Sequence, residues 1–421
     1  ICFMKETVVS ARTPLDGLSQ SRSGDLSTRL AYKLLGQIRR GSLTVVNAGI
    51  TQTFGQDDEG PNCIVRIHDQ AVFRKLIRGG SVGAAEAYMD GDWSTDDLTS
   101  VIRLFLQNRQ ILEDMETRMS WVRRLGLKLY HLGRRDSLSG SRRNIAEHYD
   151  LGNEFFQLFL DPTMMYSSGV FPSRSDSMEQ ASVNKMAVVC EKLSLGEDDH
   201  LLEIGTGWGG LAVYAAQHYG CRVTTTTIST EQYEHARAKV EAAGLTGQVT
   251  VLNQDYRELS GAFDKLVSIE MIEAVGLEHI STYLQKCASL LKPGATMLLQ
   301  AITIADQRFH AASRAVDFIQ RYIFPGGALP SITMLMAEAT RSTDLRAYGL
   351  EDITEHYAVT LHKWREAFWE AVPQVRELGF DDYFIRMWDY YLAYCEGGFM
   401  ERAISCVHLQ FHKPEYRRVL A

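Results

Sequence analysis

The chain has 421 residues, 45% hydrophobic and 23% charged, an ordinary composition for a globular protein and enough length for two domains. Its formal net charge of −8 argues against a uniformly basic nucleic-acid-binding protein, so we expect no nucleic-acid partner. No apolar stretch reaches the about 18–20 residues of a membrane span, and the first thirty residues lack the continuous apolar core of a signal peptide.

The first 105 residues predict a small α+β domain, which begins with a polar, Ser-rich arm at residues 1–25. Apolar periodicity and turn residues divide the domain into short helices and strands. The glycine-rich run Gly79–Gly83 opens the last of these helices, which continues to Met89. The other predicted elements are a helix at Leu26–Arg39, strands at Ser42–Val46 and Asn62–Ile67, and a helix at Ala71–Arg78.

A basic linker is predicted at residues 106–145. Eight Arg and Lys residues between Arg118 and Arg143 are accompanied by one acid, Asp136, and apolar residues such as Trp121 and Leu125 recur among them at helical spacing. Such a stretch is typical of a helix that lies on an anionic membrane surface. A solvated helix that packs its apolar stripe on a neighbouring element has the same pattern, so both interpretations stay open.

Residues 146–421 predict a larger domain in which strands and helices alternate. This alternation predicts an α/β fold with a doubly wound, mainly parallel sheet, whose ligands bind beyond the carboxyl ends of the strands. A mostly helical portion rich in Tyr and Trp follows Tyr357. The predicted strands are Leu201–Ile204, Arg222–Ile228, Val249–Leu252, Lys265–Ile269 and Thr296–Ala301, and the helices between them include Thr230–Ala243 and Ile280–Leu291.

The glycine-rich turn after the strand Leu201–Ile204 is the strongest functional signal. Glycines at positions 205, 207 and 210 let a nucleotide approach the backbone and the N-terminus of the following helix, and their spacing also fits a dinucleotide fingerprint. Glu203 lies two residues before the first glycine, where S-adenosylmethionine methyltransferases commonly carry an acid. The second strand ends at Ile228 without the acid that would hold an NAD ribose. The residues therefore favour S-adenosylmethionine, with a dinucleotide as the alternative.

Further motifs, in a fixed order along nearly the whole chain, resemble the cyclopropane-fatty-acyl-phospholipid synthase family, which includes the mycolic acid cyclopropane synthases. The resemblance implies a class I methyltransferase domain at 146–421, S-adenosylmethionine as methyl donor and unsaturated phospholipid acyl chains as substrate. The motifs are His148–Asn153, Leu160–Pro162, Met165–Ser167, Glu203–Gly210, Thr227–Ser229 with Gln232, Gln254–Arg257 and Tyr322–Gly327, together with Gly83–Trp93 in the first domain.

The same resemblance implies which residues hold S-adenosylmethionine. Those expected around its methionine part are Glu203, Gly205, Gly207, Trp208 and Gly209, with Tyr166 and Ser167 closing over it. Those expected at the ribose are Thr227, Ile228 and Gln232, and those expected at the adenine are Gln254, Asp255 and Tyr256. Tyr322 is expected to form a wall of the pocket, and His148 and His356 to be structural.

The family methylates a cis double bond and then closes a three-membered ring, using as base a bicarbonate ion held by a Cys, a Glu, a His and a Tyr. Carried over by motif, the Glu is Glu273 and the Tyr is Tyr357. Ser168 stands at the position of the Cys and Gln300 at that of the His, and both substitutes keep hydrogen-bond donors. The resemblance therefore implies a bicarbonate held by these four catalytic residues. Glu270 replaces a glycine of the family pattern.

Three functions remain open at this stage. The first is cyclopropanation. The substituted residues resemble those in the methyltransferase half of plant cyclopropane synthases, and this resemblance implies that ring closure is retained. The second is a fatty-acyl C-methyltransferase, which would release a methyl- or methylene-branched chain if the proton left elsewhere. The third is a catalytically inactive lipid-binding protein, although the glycine turn and Glu273 are intact.

The compartment and the partners follow from cysteine usage and from the substrate. Seven cysteines without a C-x-x-C pair argue against a disulfide framework and against a zinc site, so we expect no metal. A reducing cytoplasm fits this pattern. Because the implied substrate is a phospholipid, we expect peripheral contact with the anionic inner face of the membrane. A homodimer stays open.

Overall fold

The computed structural model describes residues 26–56, 59–109 and 151–417. The predicted N-terminal arm, the basic segment Arg118–Arg143 and His148 lie outside the described residues. Within the described ranges, no helix combines the length and apolarity that crossing a membrane requires.

Residues 26–109 form a four-stranded sheet packed with helices. The strand order is β2-β1-β3-β4, with β1 parallel to β3 and antiparallel to β2, and β4 antiparallel to β3. The sequence predicted β1 and β3 but missed β2 and β4. The elements are α1 (Leu26–Leu35), β1 (Ser42–Asn47), β2 (Ile50–Phe54), β3 (Asn62–Ile67), α2 (Ala71–Met89), β4 (Trp93–Thr95) and α3 (Leu98–Gln107).

Helix α2 joins the two helices predicted on either side of the glycine run into one kinked helix. The kink lies at Gly80, whose φ of 59° and ψ of −134° are open to glycine at little cost. A side chain at Gly83 would bring its Cβ within 2.0 Å of the Lys75 carbonyl oxygen. The glycines therefore bend the helix and allow its two halves to pack closely.

The remaining residues build a seven-stranded sheet with helices on it, in the order β10-β11-β9-β8-β5-β6-β7. Strands β5 to β9 run parallel to one another, whereas β11 is antiparallel to β9 and β10 is antiparallel to β11. The elements are α4 (Asn153–Gln157), α5 (Met178–Lys192), β5 (His200–Ile204), α6 (Gly210–Tyr219), β6 (Arg222–Thr227), α7 (Thr230–Ala242), β7 (Val249–Asn253), β8 (Phe263–Ile269), α8 (Ile280–Leu290), β9 (Leu291–Ile304), α9 (Asp306–Ala312), α10 (Ile332–Ser342), β10 (Arg346–Asp352), α11 (Thr354–Glu370), α12 (Val372–Glu377), α13 (Asp382–Met400) and β11 (Ile404–His412).

This topology confirms the predicted α/β class I methyltransferase fold. The direction of winding reverses between β5 and β8, because β6 and β7 lie on one side of β5 while β8 and β9 lie on the other. Ligands of doubly wound sheets bind at such a switch point, beyond the carboxyl ends of the strands. The glycine turn follows β5 and Glu270 follows β8, so both lie at this edge.

Helix α13 joins residues 26–109 to the rest of the described structure. The Tyr88 hydroxyl donates to Asp389 at 2.6 Å, and the Thr99 hydroxyl donates to Glu396 at 2.7 Å. Both acids are buried, so these bonds offset the cost of removing their carboxylates from water. Residues 26–109 are thereby held where they contribute to the lining of the cavity described below.

Candidate active site

The turn after β5 has the backbone conformation that its glycines predict. Gly205, Gly207 and Gly209 have φ values of 103°, 52° and 81°, in the region that L-residues rarely adopt. Helix α6 begins directly afterwards at Gly210. Its first N–H groups have no partner within the helix and are therefore available to a ligand at this edge of the sheet.

Glu203 lies beneath this turn and is buried. Its carboxyl accepts a hydrogen bond of 2.6 Å from the Thr225 hydroxyl, which also lies 2.7 Å from the Thr206 hydroxyl. Burial raises the pKa of Glu203 to about 8. A cationic ligand group beside it would favour the charged form, so the site suits a ligand that carries positive charge.

The residues expected at the ribose and adenine lie beside the carboxyl ends of β6 and β7. The Thr227 hydroxyl donates to the Gln232 side-chain carbonyl at 2.9 Å. Asp255 is buried and accepts from the Arg257 Nε at 2.9 Å and from its Nη2 at 2.8 Å. These contacts fix the orientation of two polar side chains at the wall of the cavity, as selective binding of a nucleoside requires.

One cavity of about 2010 Å³ is lined by most of the predicted site residues, but Ser168 and Gln300 are fully buried outside its lining. All the residues predicted to hold the cofactor line it except Gly209, which faces α7: a Cβ there would lie 3.0 Å from that of Ala236. The volume exceeds the roughly 300–1,000 Å³ of a typical small-molecule pocket. The cavity therefore has room for a nucleoside and for a long apolar chain. The lining residues among those predicted are Tyr166, Ser167, Glu203, Gly205, Gly207, Trp208, Thr227, Ile228, Gln232, Gln254, Asp255, Tyr256, Glu273 and Tyr357.

The lining combines polar, aromatic and apolar side chains. Besides the acids Glu270 and Glu273 it includes several aromatic rings and apolar side chains from residues 26–109. The aromatic lining includes Tyr166, Phe324, Tyr357, Tyr391 and Phe399, and the apolar lining includes Leu35, Val65, Phe73 and Phe105.

Glu270 lies at the centre of the predicted catalytic residues. One oxygen of its carboxylate accepts from the Ser168 backbone N–H at 3.0 Å and from the Gln300 side-chain amide at 2.6 Å. The other oxygen accepts from the Tyr357 hydroxyl at 2.6 Å. Three of the four residues predicted to hold a bicarbonate therefore bind this carboxylate.

Glu273, the fourth predicted residue, is held differently. Its Oε1 accepts from the Ile302 backbone N–H at 2.5 Å, and its Oε2 is buried without a hydrogen-bond partner among the described residues. Burial and the neighbouring Glu270 raise the pKa of Glu273 to about 8. At neutral pH most of its carboxyl groups are therefore protonated.

A relay behind Glu270 fixes the orientation of Gln300. On β9, Gln300 is fully buried and pairs with Ile269 of β8 and His408 of β11. His408 Nε2 lies 2.9 Å from the Gln300 side-chain oxygen, and the Lys192 ammonium donates to His408 Nδ1 at 2.5 Å. Burial lowers the pKa of His408 to about 3, so the ring is neutral and donates to that oxygen. The Gln300 amide N–H must then point towards Glu270. Sequence reasoning missed both Lys192 and His408.

Lys185 is a second residue that sequence reasoning missed. It lies fully buried on α5, and its ammonium donates to the Ser167 hydroxyl at 2.6 Å. Burial lowers its pKa to about 8, whereas Glu270 and other nearby acids raise it. Polar and apolar residues alternate irregularly along α5. The sequence around Lys185 therefore does not indicate that its side chain is buried beneath the site.

Ser168 and Tyr322 have contacts other than those expected. The Ser168 hydroxyl donates to the Gly169 carbonyl at 2.9 Å, so its backbone N–H, and not its hydroxyl, reaches the anion position. Tyr322 is outside the lining of the cavity, and its hydroxyl donates to Glu86 at 2.8 Å. His356 Nδ1 accepts from the Phe171 backbone N–H at 3.2 Å, a structural contact.

Sequence comparison identifies the family. The profile of the family "Mycolic acid cyclopropane synthetase" matches residues 136–409. The chain belongs to this family. It is an S-adenosylmethionine-dependent methyltransferase, and its relatives act on lipid acyl chains. Within the described ranges, no group of His, Cys, Asp or Glu residues is arranged to hold a metal ion.

Individual relatives are similar over most of this methyltransferase. The tuberculostearic acid methyltransferase of Mycobacterium tuberculosis is 36% identical over 396 residues, 92% of this chain and 90% of the relative. The cyclopropane-fatty-acyl-phospholipid synthase of Escherichia coli K12 is 36% identical over 359 residues, 83% and 87% of the two chains. A solved mycolic acid cyclopropane synthase complexed with SAH and CTAB is 29% identical with a TM-score of 0.61, covering 65% of this chain and 98% of that one.

Proposed function

We propose that this methyltransferase converts cis double bonds in unsaturated phospholipid acyl chains into cyclopropane rings. One observation supports this above all: the glycine turn, several aromatic rings, the pair of acids and many apolar side chains line one cavity. S-adenosylmethionine supplies an electrophilic methyl group. The residues of the chain must hold the alkene beside it, exclude water and accept one proton.

Methyl transfer to an alkene leaves a carbocation on the neighbouring carbon, and the lining suits such an intermediate. Tyr166, Tyr391 and Phe399 line the cavity, and aromatic side chains can stabilise a nearby cation through their quadrupoles. Burial, together with the carboxylate of Glu270, raises the pKa of Tyr357 well above its usual range, so its hydroxyl stays protonated and is a poor nucleophile. A dry aromatic wall therefore lowers the chance that water or a side chain traps the cation.

Ring closure then requires the loss of one proton. A C–H bond of the newly added methyl group breaks, and its electron pair forms the third bond of the ring to the cationic carbon. The proton goes to a base beside the methyl group. The acids that line the cavity at this point are Glu270 and Glu273.

The second candidate is a C-methyltransferase that releases a methylene-branched chain. It is favoured by the relative that matches 92% of this chain, which is named a tuberculostearic acid methyltransferase. In this route a hydride moves from the methylated carbon to the cation before the new methyl group loses its proton. The same base serves both routes, and only the timing of the hydride shift separates them.

Membrane docking belongs to the same proposal. An acyl double bond lies deep in a bilayer, so the protein has to dock on the membrane surface and draw the chain into its cavity. We infer a cytoplasmic protein that binds the anionic inner face peripherally, with the basic segment 118–143 as the candidate contact. A homodimer stays a prediction.

Labelled methyl donor tests the proposed reaction directly. The protein is incubated with phosphatidylglycerol vesicles that carry cis-monounsaturated chains and with S-adenosylmethionine labelled as CD₃. We expect a CD₂ group in the acyl chain that resists ozone and gives the upfield deuterium signals of a ring. A CD₂ group that ozone cleaves to a ketone would establish the methylene route. Unlabelled lipid, despite tight binding of S-adenosylmethionine, would establish an inactive lipid-binding protein.

A further inference from the structure

We propose that the carboxylate of Glu270 is the catalytic base of this enzyme and takes the place that a bicarbonate ion has in the family. This inference rests on the proposed methyl transfer and names the group that accepts the proton. It applies equally to the ring and to the methylene product, because both routes remove the proton from the transferred methyl group.

A bicarbonate ion does not fit the residues that were predicted to hold it. The Ser168 N–H, the Gln300 amide and the Tyr357 hydroxyl all donate to Glu270, at 3.0, 2.6 and 2.6 Å. The Cys406 thiol is a fourth group near the same carboxylate, with its sulfur 3.8 Å from Glu270 Oε1. A carboxylate and a bicarbonate present the same pair of oxygens on a planar carbon. The side chain therefore already occupies the position and the hydrogen-bond donors of the anion.

The backbone at Glu270 supports a functional origin for this arrangement. Its φ of 48° is in the left-handed region, which is costly for a residue with a Cβ and which the glycine of the family pattern adopts freely. The Glu270 N–H donates to the Gln300 carbonyl at 2.9 Å and holds this conformation at the end of β8. A costly conformation that the surrounding structure maintains is typical of a functional site.

The electrostatic surroundings suit a base rather than a structural acid. Burial raises the pKa of Glu270, while hydrogen bonds from Tyr357 and Ser168 and the charge of Lys185 lower it. A base whose conjugate acid has a pKa nearer to neutrality removes protons more effectively than an ordinary carboxylate. Glu273 is a weaker candidate, because its raised pKa of about 8 leaves it mostly protonated at neutral pH.

The step balances without any further reactant. A C–H bond of the transferred methyl group breaks, its electron pair closes the bond to the electron-deficient carbon, and the proton joins an oxygen of Glu270. The resulting carboxylic acid returns its proton to solvent after the lipid product leaves. The chain thus replaces a diffusible anion by a tethered one.

Two substitutions separate this proposal from the bicarbonate mechanism. Glu270→Gln keeps the shape but removes the basic oxygen, and we expect at least about a 100-fold loss of turnover, as is usual for a lost general base. Glu270→Gly restores the family residue, relieves the backbone and frees the three donors. We expect it to be inactive without bicarbonate and to recover activity when bicarbonate is added. The wild type should be indifferent to stringent bicarbonate depletion.

Controls keep the outcome interpretable. S-adenosylmethionine affinity by calorimetry and the thermal midpoint show that each variant is folded, and Glu377→Gln, at an exposed position on α12, serves as a matched control. A wild type that slows on depletion, a fully active Glu270→Gln, or a Glu270→Gly that bicarbonate does not rescue would overturn the assignment. A wild type that labels no lipid would instead refute the proposed function, so the two failures are distinct.

Discussion

The Tyr357 hydroxyl donates to one oxygen of Glu270 at 2.6 Å, across 87 residues of sequence. Tyr357 is on α11 and Glu270 follows β8, so this bond joins the helical C-terminal region to the switch point of the sheet. Its ring stacks on Phe399 at 4.3 Å between centroids, which holds the hydroxyl in place. The contact therefore orients the carboxylate towards the cavity and stabilises its charged form.

Replacing Tyr357 by Phe should raise the pKa of Glu270, because the carboxylate loses a donor that favours its charged form. We expect turnover at neutral pH to fall by about tenfold or more, since a hydrogen bond to a charged group contributes about 1.5–3 kcal/mol. The acidic limb of the pH–rate profile should move to higher pH, because the base has to be deprotonated to act. Profiles of both proteins, with S-adenosylmethionine affinity as the control for folding, check this. An unchanged acidic limb would contradict the role of Tyr357.

The raised pKa of Glu273 makes stability fall as pH rises. Its value is about 8 in the folded protein and near 4.5 for an ordinary Glu, so the folded state binds more protons between these values. The stabilisation is complete below about pH 4.5 and is lost as pH rises through 8, at no more than about 1.4 kcal/mol per pH unit. Glu273→Gln stays neutral throughout. We therefore expect it to be more stable than the wild type at pH 8, with the difference shrinking as the pH falls towards 4.5, as measured by thermal unfolding. Parallel stability curves for the two proteins would show that Glu273 does not titrate in this window.

The central strands could be predicted from sequence because they are short runs of apolar or β-branched residues bounded by glycines and helices. The two antiparallel strands at the edge could not. Most residues of β10 are exposed, so no alternation of apolar and polar residues marks this strand. Strand β11 follows a long helical stretch, and only its pairing with β9 distinguishes it from a further buried helix segment. In the four-stranded sheet, β2 is exposed along most of its length and was missed for the same reason.

The site was predicted less completely than the fold, for a geometric reason. Motifs identified Ser168, Gln300 and Tyr357, and the structure brings them to one point. What lies at that point depends on the direction of the Glu270 side chain, which the left-handed φ determines and which no sequence pattern reveals. The contact of His408 with Gln300 likewise depends on the register between β11 and β9. Long-range register and one unusual backbone angle therefore limit what sequence reasoning can find.

Vesicle binding tests whether the basic segment 118–143, which was identified from the sequence alone, docks on the membrane. If the segment docks on anionic lipid, affinity for phosphatidylglycerol vesicles should fall as salt rises, because salt screens surface charge. Replacing Arg123, Arg124, Arg134 and Arg135 by Gln should weaken co-sedimentation by tenfold or more, at about 1 kcal/mol per basic residue near the surface. Phosphatidylcholine vesicles serve as the control. Equal binding by the variant and the wild type would leave the segment as a linker.

The relay behind Gln300 predicts that His408 acts on catalysis without contacting the substrate. The neutral His408 ring donates to the Gln300 oxygen and thereby directs the amide N–H towards Glu270. His408→Leu removes this donor, so the amide can turn its oxygen towards the carboxylate, which repels it. We expect kcat to fall by about threefold to tenfold, the effect of one misplaced hydrogen bond of about 1 kcal/mol.

His408→Gln supplies the matched variant, because its side-chain amide can donate to the same oxygen. It should recover most of the lost kcat, whereas S-adenosylmethionine affinity and the lipid KM should stay close to wild type in both variants. Steady-state kinetics with monounsaturated vesicles measures all three quantities. If His408→Leu and His408→Gln lower kcat equally, packing around β11 matters and the orientation of Gln300 does not. If only His408→Leu lowers kcat, His408 acts on Glu270 by orienting the Gln300 amide that lies between the two residues.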